Sequence, residues 1–139
     1  MVERRQAVSP PTAKSVQSDK IQTALQVKIF GREQRDGTQW FVIRTWLIYQ
    51  PADISDPVRK RYSQFLQLHE TLERMGYSDL PFLPRKKVFM KERDLEERQR
   101  GLENYLKDIV NRKDTRNSQP VVEFLNLHDV WPEIMYNVP

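Results

Sequence analysis

The chain has 139 residues, 38% hydrophobic and 30% charged, with 23 Lys and Arg against 19 Asp and Glu, a formal charge of +4. That is enough apolar material for one modest core and excludes wholesale disorder, while so small a cation excess leaves the placement of charge, not its sum, to identify a partner. With no cysteine, disulfides, thiolate catalysis and thiolate metal sites are excluded.

The start, Met1-Val2-Glu3-Arg4-Arg5, has no apolar run behind it, so no secretory signal is expected, and no stretch of about 20 apolar residues occurs to span a bilayer. Residues 1–20 are polar and carry Pro10-Pro11; they read as a flexible N-terminal arm. The domain proper is expected over 21–129, with a C-terminal tail at 130–139 whose Trp131 and Ile134 either dock on the body or serve another domain.

Ala24–Phe30 partly alternates and predicts a first strand. Gly31–Gly37 is a charged connection, long for a tight hairpin, ending in the turn signal Asp36-Gly37. Trp40–Tyr49 is the strongest strand candidate, interrupted by Arg44, which is expected to reach solvent. After a loop with two prolines, Val58–Arg61 predicts a short third strand.

Ser63 is a plausible N-cap for a helix whose Phe65, Leu68, Leu72 and Met75 recur at helical spacing until Gly76. Leu80–Phe89 has two prolines and no helical period, so it reads as extended. A second helix is expected from about Asp94 to Val110 with Leu95, Leu102, Tyr105, Leu106 and Ile109 inward; Gly101 inside it either weakens the helix or permits close packing. Asn111–Ser118 reads as a polar loop and Gln119–Leu127 as a short third helix. The fold class is therefore α+β: a three-stranded antiparallel meander packed against about three helices, with a proline-rich extended loop between the first two.

Chemistry concentrates in two basic clusters, Arg59-Lys60-Arg61 beside Tyr62 and Arg85-Lys86-Lys87 after Pro84, which together suggest a pocket for a multiply charged anion. Arg61 is the strongest candidate, because its fork can hold two phosphate oxygens at once. Strand alternation puts Arg59 and Arg61 on one face and Lys60 on the other, so the three cannot serve one pocket; a solvated charge run at a sheet edge is the alternative. Tyr62 offers either a flat face under a sugar ring or a half-buried core aromatic. Lys86 suits a second phosphate as a point charge. Arg98 and Arg100 point in different directions, and at most one can join a given pocket. Val88-Phe89-Met90 before Lys91 either inserts into a headgroup layer or forms the edge of the core.

Catalysis is not expected. His69 and His128 sit in no pattern that marks a catalytic base, Glu70 and Glu73 are ordinary surface spacing, and without cysteine or a histidine cluster a metal site or cofactor has no usual ligands. Nucleic acid is disfavoured as a partner, since no helix carries a one-sided basic stripe.

In order, an aromatic second strand, a basic pair with Tyr-Ser-x-Phe at 60–65, Pro81-x-x-Pro84-x-Lys86, Arg98 before Gly101-Leu102, Tyr105-Leu106 and a closing helix with Phe124-Leu125 make residues 22–128 resemble a phox-homology (PX) domain, the phosphoinositide-binding module of sorting nexins. The resemblance implies recognition of phosphatidylinositol 3-phosphate by a cytoplasmic protein peripheral on early endosomal membranes. By motif position, Arg61 resembles the arginine that holds the 3-phosphate and Tyr62 the ring under the inositol. Lys86 falls at the lysine near the 1-phosphate, and Arg98 at the arginine that bonds the 4- and 5-hydroxyls. Lys60 and Lys87 are accessory cations, and Val88, Phe89, Met90 and Lys91 resemble the membrane-inserting loop. Arg59 departs from the pattern, standing where relatives commonly carry an aromatic or aliphatic residue, and the segment from Lys86 to Arg98 is short. The alternative function is a protein–protein interaction domain with a degenerate lipid pocket, using the proline-rich turn.

Overall fold

The computed structural model describes residues 25–48, 56–87 and 91–127. Strands β1 (Leu25–Arg35), β2 (Thr38–Leu47) and β3 (Val58–Arg61) form an antiparallel sheet in the order β1-β2-β3. Helices α1 (Tyr62–Arg74), α2 (Glu92–Asn111), α3 (Lys113–Arg116) and α4 (Gln119–Phe124) cover one face of it. The expected meander and extended proline segment are both present, and the fold is α+β as anticipated.

Alternation decides which face of the sheet is buried. Phe41, Ile43, Thr45 and Leu47 of β2 and Leu25, Val27 and Ile29 of β1 point inward, where they meet Phe65, Leu68 and Leu72 of α1 and Leu102, Tyr105, Leu106, Ile109 and Val110 of α2. Leu125 and Leu127 close the bottom of this core.

β1 runs five residues past the expected strand. Its pairing register jumps between Ile29↔Ile43 and Gly31↔Val42, a bulge that skips Phe30 and lets the charged stretch 31–35 continue as a ribbon opposite Thr38–Val42. The true connection is only Asp36-Gly37, with φ of 52° and 77°, the two-residue turn whose twist suits a hairpin. At the bulge, Ile29 donates its N–H to Glu103 Oε1 at 2.8 Å and its carbonyl accepts from Gln99 Nε2 at 3.4 Å, so α2 side chains occupy that edge of the sheet.

Ser63 is not the cap of α1. The chain passes directly from the extended Arg61 (φ −98°, ψ 165°) into helix at Tyr62, and Gln64 three residues on accepts the Arg61 backbone N–H at 2.9 Å. Met75, expected inward, is 54% exposed because it is the cap residue, past the last turn that faces the core. Gly76 follows at φ 96°; its N–H bonds Glu73 O and that of Tyr77 bonds Leu72 O, the paired bonds of a Schellman ending. Leu95 is half-buried rather than inward, one turn before the packed stretch of α2 begins.

The polar segment 111–118 is no loose loop. Thr115 and Arg116 are buried; Thr115 Oγ1 donates to Ile109 O at 2.6 Å and Arg116 Nη1 to Val110 O at 3.0 Å, satisfying carbonyls that the end of α2 leaves open. α4 is shorter than expected, ending at Phe124, because Asn126 turns left-handed (φ 57°) and the N–H groups of Asn126 and Leu127 fold back on Glu123 O and Val122 O. Ala24, Tyr49, the N-terminal arm and the tail with Trp131 and Ile134 lie outside the described residues.

Candidate functional site

The β3–α1 junction brings the basic cluster to the surface. Arg59 and Arg61 are exposed on the sheet face away from the helices, and Lys60 points the other way, 5.0 Å above the Phe124 ring, where burial pulls its pKa down. Arg59 Nε donates to Glu33 Oε1 at 3.0 Å. Among the described residues the Arg61 guanidinium pairs with no carboxylate; it lies 5.8 Å from the ring of Trp40, its register partner on β2.

Tyr62, the first residue of α1, is where three segments meet. Its hydroxyl donates to Pro84 O at 2.5 Å, which ties the proline-paced segment to the helix start. The guanidinium of Arg98, from the second turn of α2, stacks on its ring at 4.1 Å and donates to Arg85 O. Arg98 is only 8% exposed. Burial pulls its pKa down and pushes that of the Tyr62 phenol up, with the Arg98 charge opposing the latter. A desolvated cation is thus held by a ring and a carbonyl rather than by a carboxylate.

Lys86 is exposed and lines, with Tyr62, His69, Tyr77, Pro81 and Pro84, a cavity of about 760 Å³. Lys87 is committed to Asp94 Oδ1 at 3.0 Å; the Lys91 backbone N–H on the other carboxylate oxygen, with Lys87, holds that carboxyl below its usual range. Lys91 itself is exposed. Val88, Phe89 and Met90 lie outside the described residues. Of the sequence-predicted residues, Tyr62, Arg98 and the Pro84–Lys86 backbone come together around one ring. Arg61 lines a different cavity of about 280 Å³, with Arg35, Thr38, Trp40 and Arg59. Arg100 faces Lys28, Arg32 and Glu103 instead, as its position on the helix required.

One part of the arrangement escaped sequence reasoning, and one alternative that the sequence left open is decided. Trp40 is recognisable only once the β2–β3 register sets it opposite Arg61. Gly101 resolves to the close-packing alternative: a Cβ there would lie 2.6 Å from Cγ of Pro84, a ring atom that cannot swing aside. Gly101→Ala should therefore destabilise by about 1–2 kcal/mol, against the gain of about 1 kcal/mol that alanine normally brings to a helix interior. Thermal unfolding reads the sign directly, and a rise in melting temperature would contradict the contact.

His69 Nδ1 is hydrogen-bonded with the Tyr105 hydroxyl at 3.0 Å, and its Nε2 lies 3.6 Å from Glu73, a structural engagement at the edge of the core. No group of three His, Asp or Glu among the described residues is arranged to hold a metal, and no described helix is long and apolar enough to cross a membrane.

Comparison with known proteins agrees with this geometry. The family model for the PX domain matches residues 52–128. The chain is 33% identical to human sorting nexin-16 over 104 residues, which is 73% of this chain and 30% of that protein. It is 47% identical over 53 residues to sorting nexin-3 of Schizosaccharomyces pombe, 36% of this chain and 37% of that protein. The chain thus spans about a third of the length of the curated relatives it matches. A designed CISK-PX domain, solved by X-ray, superposes with a TM-score of 0.65 at 30% identity, over 72% of this chain and 97% of its own. The mouse SNX19 PX domain with a bound sulphate ion does so with a TM-score of 0.57 at 26% identity, covering 74% and 97%. PX domains are non-catalytic lipid-binding modules, and this chain belongs to that family, as a phosphoinositide-binding module of the sorting-nexin type.

Proposed function

We propose that the chain recognises phosphatidylinositol 3-phosphate and recruits the protein carrying it to the cytoplasmic face of early endosomal membranes. The observation that supports this reading most directly is the junction at Tyr62: one aromatic ring, a desolvated arginine stacked on it, and a backbone tie that brings the Lys86 segment alongside. In this reading Arg61 takes the 3-phosphate with its exposed guanidinium, which pairs with no carboxylate among the described residues, Tyr62 underlies the inositol, and Lys86 meets the 1-phosphate. Arg98 bonds the 4- and 5-hydroxyls. A site shaped around two hydroxyls rejects a ring with further phosphates by size, since the buried Arg98 guanidinium, held between the Tyr62 ring and Arg85 O, leaves no room for the bulkier groups. Lys60 and Lys87 add positive potential nearby, and Val88, Phe89, Met90 and Lys91 enter the headgroup layer.

Flotation with vesicles that each carry a single phosphoinositide tests the proposal. Selective recovery with the 3-phosphate is expected; equal recovery with every anionic vesicle would defeat it. Replacing Phe89 and Met90 together by serine should weaken vesicle binding about tenfold or more, from the lost burial of two apolar side chains, while leaving a soluble short-chain headgroup ligand unaffected. Unchanged vesicle binding by that variant would remove the loop from the interface.

One observation favours a second reading, an interaction domain with a degenerate lipid pocket: Arg61 and Lys86 line different cavities. The same flotation decides, because a degenerate pocket leaves the wild-type protein unbound to every vesicle.

A further inference from the structure

On the helix side of the molecule, α1 and α4 leave a groove of about 430 Å³ between them. Its floor is apolar, made by Leu68 and Phe124 of the core, with Pro120 and Met75 at the rim. Met75 stands exposed there because α1 has already ended. Lys60 closes one end. Its ammonium is half-buried over the Phe124 ring and pairs with no carboxylate among the described residues. Glu123 also lines the groove, but it accepts from Gln119 Nε2 at 2.8 Å instead. The ring alone offsets the desolvation of Lys60, and burial pulls its pKa down accordingly. The groove therefore suits an occupant that brings apolar side chains and an anion together.

We infer that this occupant is the chain's own C-terminal segment, residues 128–139, which packs Trp131 and Ile134 into the groove and sets its carboxylates, Asp129 and Glu133, against Lys60. Three properties of the segment favour it. It begins beside the groove: α4 forms one wall, and the left-handed Asn126 turns the chain back on that helix, with the Leu127 N–H on Val122 O. α4 is about 9 Å long and an extended chain covers about 3.4 Å per residue, so Trp131 and Ile134 can reach back along its whole length. Its charge is complementary, since no Lys or Arg occurs from Asn117 to Pro139 while Asp129 and Glu133 do. Its apolar residues are in step, with Trp131, Ile134, Met135 and Val138 at i, i+3, i+4 and i+7, the spacing of a single helical face. Being tethered, the segment meets the groove at an effective concentration of about millimolar, which a free partner or a second copy rarely matches. Lipid binding plays no part in the inference, because the groove opens on the helix side of the sheet and Arg61 projects from the other face.

Because the chain has no cysteine, a pair of introduced thiols reports the contact without interference. Gln67→Cys, at an exposed position of α1 that lines the groove, is combined with Ile134→Cys in the full chain. Glu97→Cys with Ile134→Cys, at an exposed position of α2 outside the groove, is the control. With a short bismaleimide, the groove pair should cross-link within one molecule about tenfold faster than the control or more. Adding Asp129→Asn/Glu133→Gln should slow that reaction several-fold. Met75→Glu should slow it as well, since it sets a carboxylate against an acidic segment and removes an apolar contact. Equal rates for the two pairs overturn the docking. Cross-links that join two molecules overturn it in favour of a second copy of the chain. A rate unchanged by Asp129→Asn/Glu133→Gln overturns the pairing with Lys60.

Discussion

Arg61→Ala should lower affinity for vesicles bearing phosphatidylinositol 3-phosphate by about a hundredfold and leave the melting temperature unchanged. The size follows from losing a bidentate, charge-assisted contact to phosphate, worth about 3 kcal/mol. The unchanged fold follows from the position of the side chain. Arg61 is exposed, has no carboxylate partner among the described residues, and contributes to α1 through its backbone, whose N–H is held by Gln64. Arg61→Lys is the sharper control, since it keeps the charge and discards the fork, and it should recover only a small part of the loss. Flotation beside thermal unfolding checks both halves. An alanine variant that floats as well as wild type would assign the phosphate to another cation.

Phe65→Ala should do the opposite, destabilising the whole domain by about 3–5 kcal/mol. Phe65 has no exposed surface and stacks edge-on against Phe41 of β2 at 6.2 Å and Phe124 of α4 at 5.1 Å. It is therefore the side chain that joins sheet, first helix and last helix. For a domain of this size the melting temperature should fall by about 15 °C, and Phe65→Leu, which refills most of the volume, should recover more than half of that. Lipid affinity at low temperature, where the variant remains folded, should be close to wild type. A large loss of affinity in the folded variant would tie the core to the site more tightly than the contacts indicate.

How far the sequence could be read depended on whether a residue's role follows from its own neighbours. The strands and the two long helices were legible because Phe41, Ile43 and Leu47, or Leu102, Leu106 and Ile109, repeat at the period of the element that buries them. The opposite faces of Lys60 and Arg61 followed from the same alternation. What could not be read depended on remote partners. Nothing near Thr115 or Arg116 announces that they serve the carbonyls of Ile109 and Val110, so a buried capping segment looked like a polar loop. The stretch 31–35 has no apolar alternation because that part of the hairpin extends beyond the core, and its identity as strand comes from the Gly31 bulge and the Asp36-Gly37 turn. In the site, the candidate residues followed from the two basic clusters and, by resemblance, from motif positions, but the stacking of Arg98 on Tyr62 and the turn of Arg61 toward Trp40 are three-dimensional facts that spacing does not encode.

The side chains of Glu103 and Gln99 that occupy the backbone of Ile29 have a consequence for crowding. Molecules gathered on a membrane meet at high local density, where an open strand border invites a neighbour to zip on and start an aggregate. Here that border is plugged by the molecule's own helix at the kink in its first strand, so neighbours brought together at one surface find no place there to extend each other's sheets.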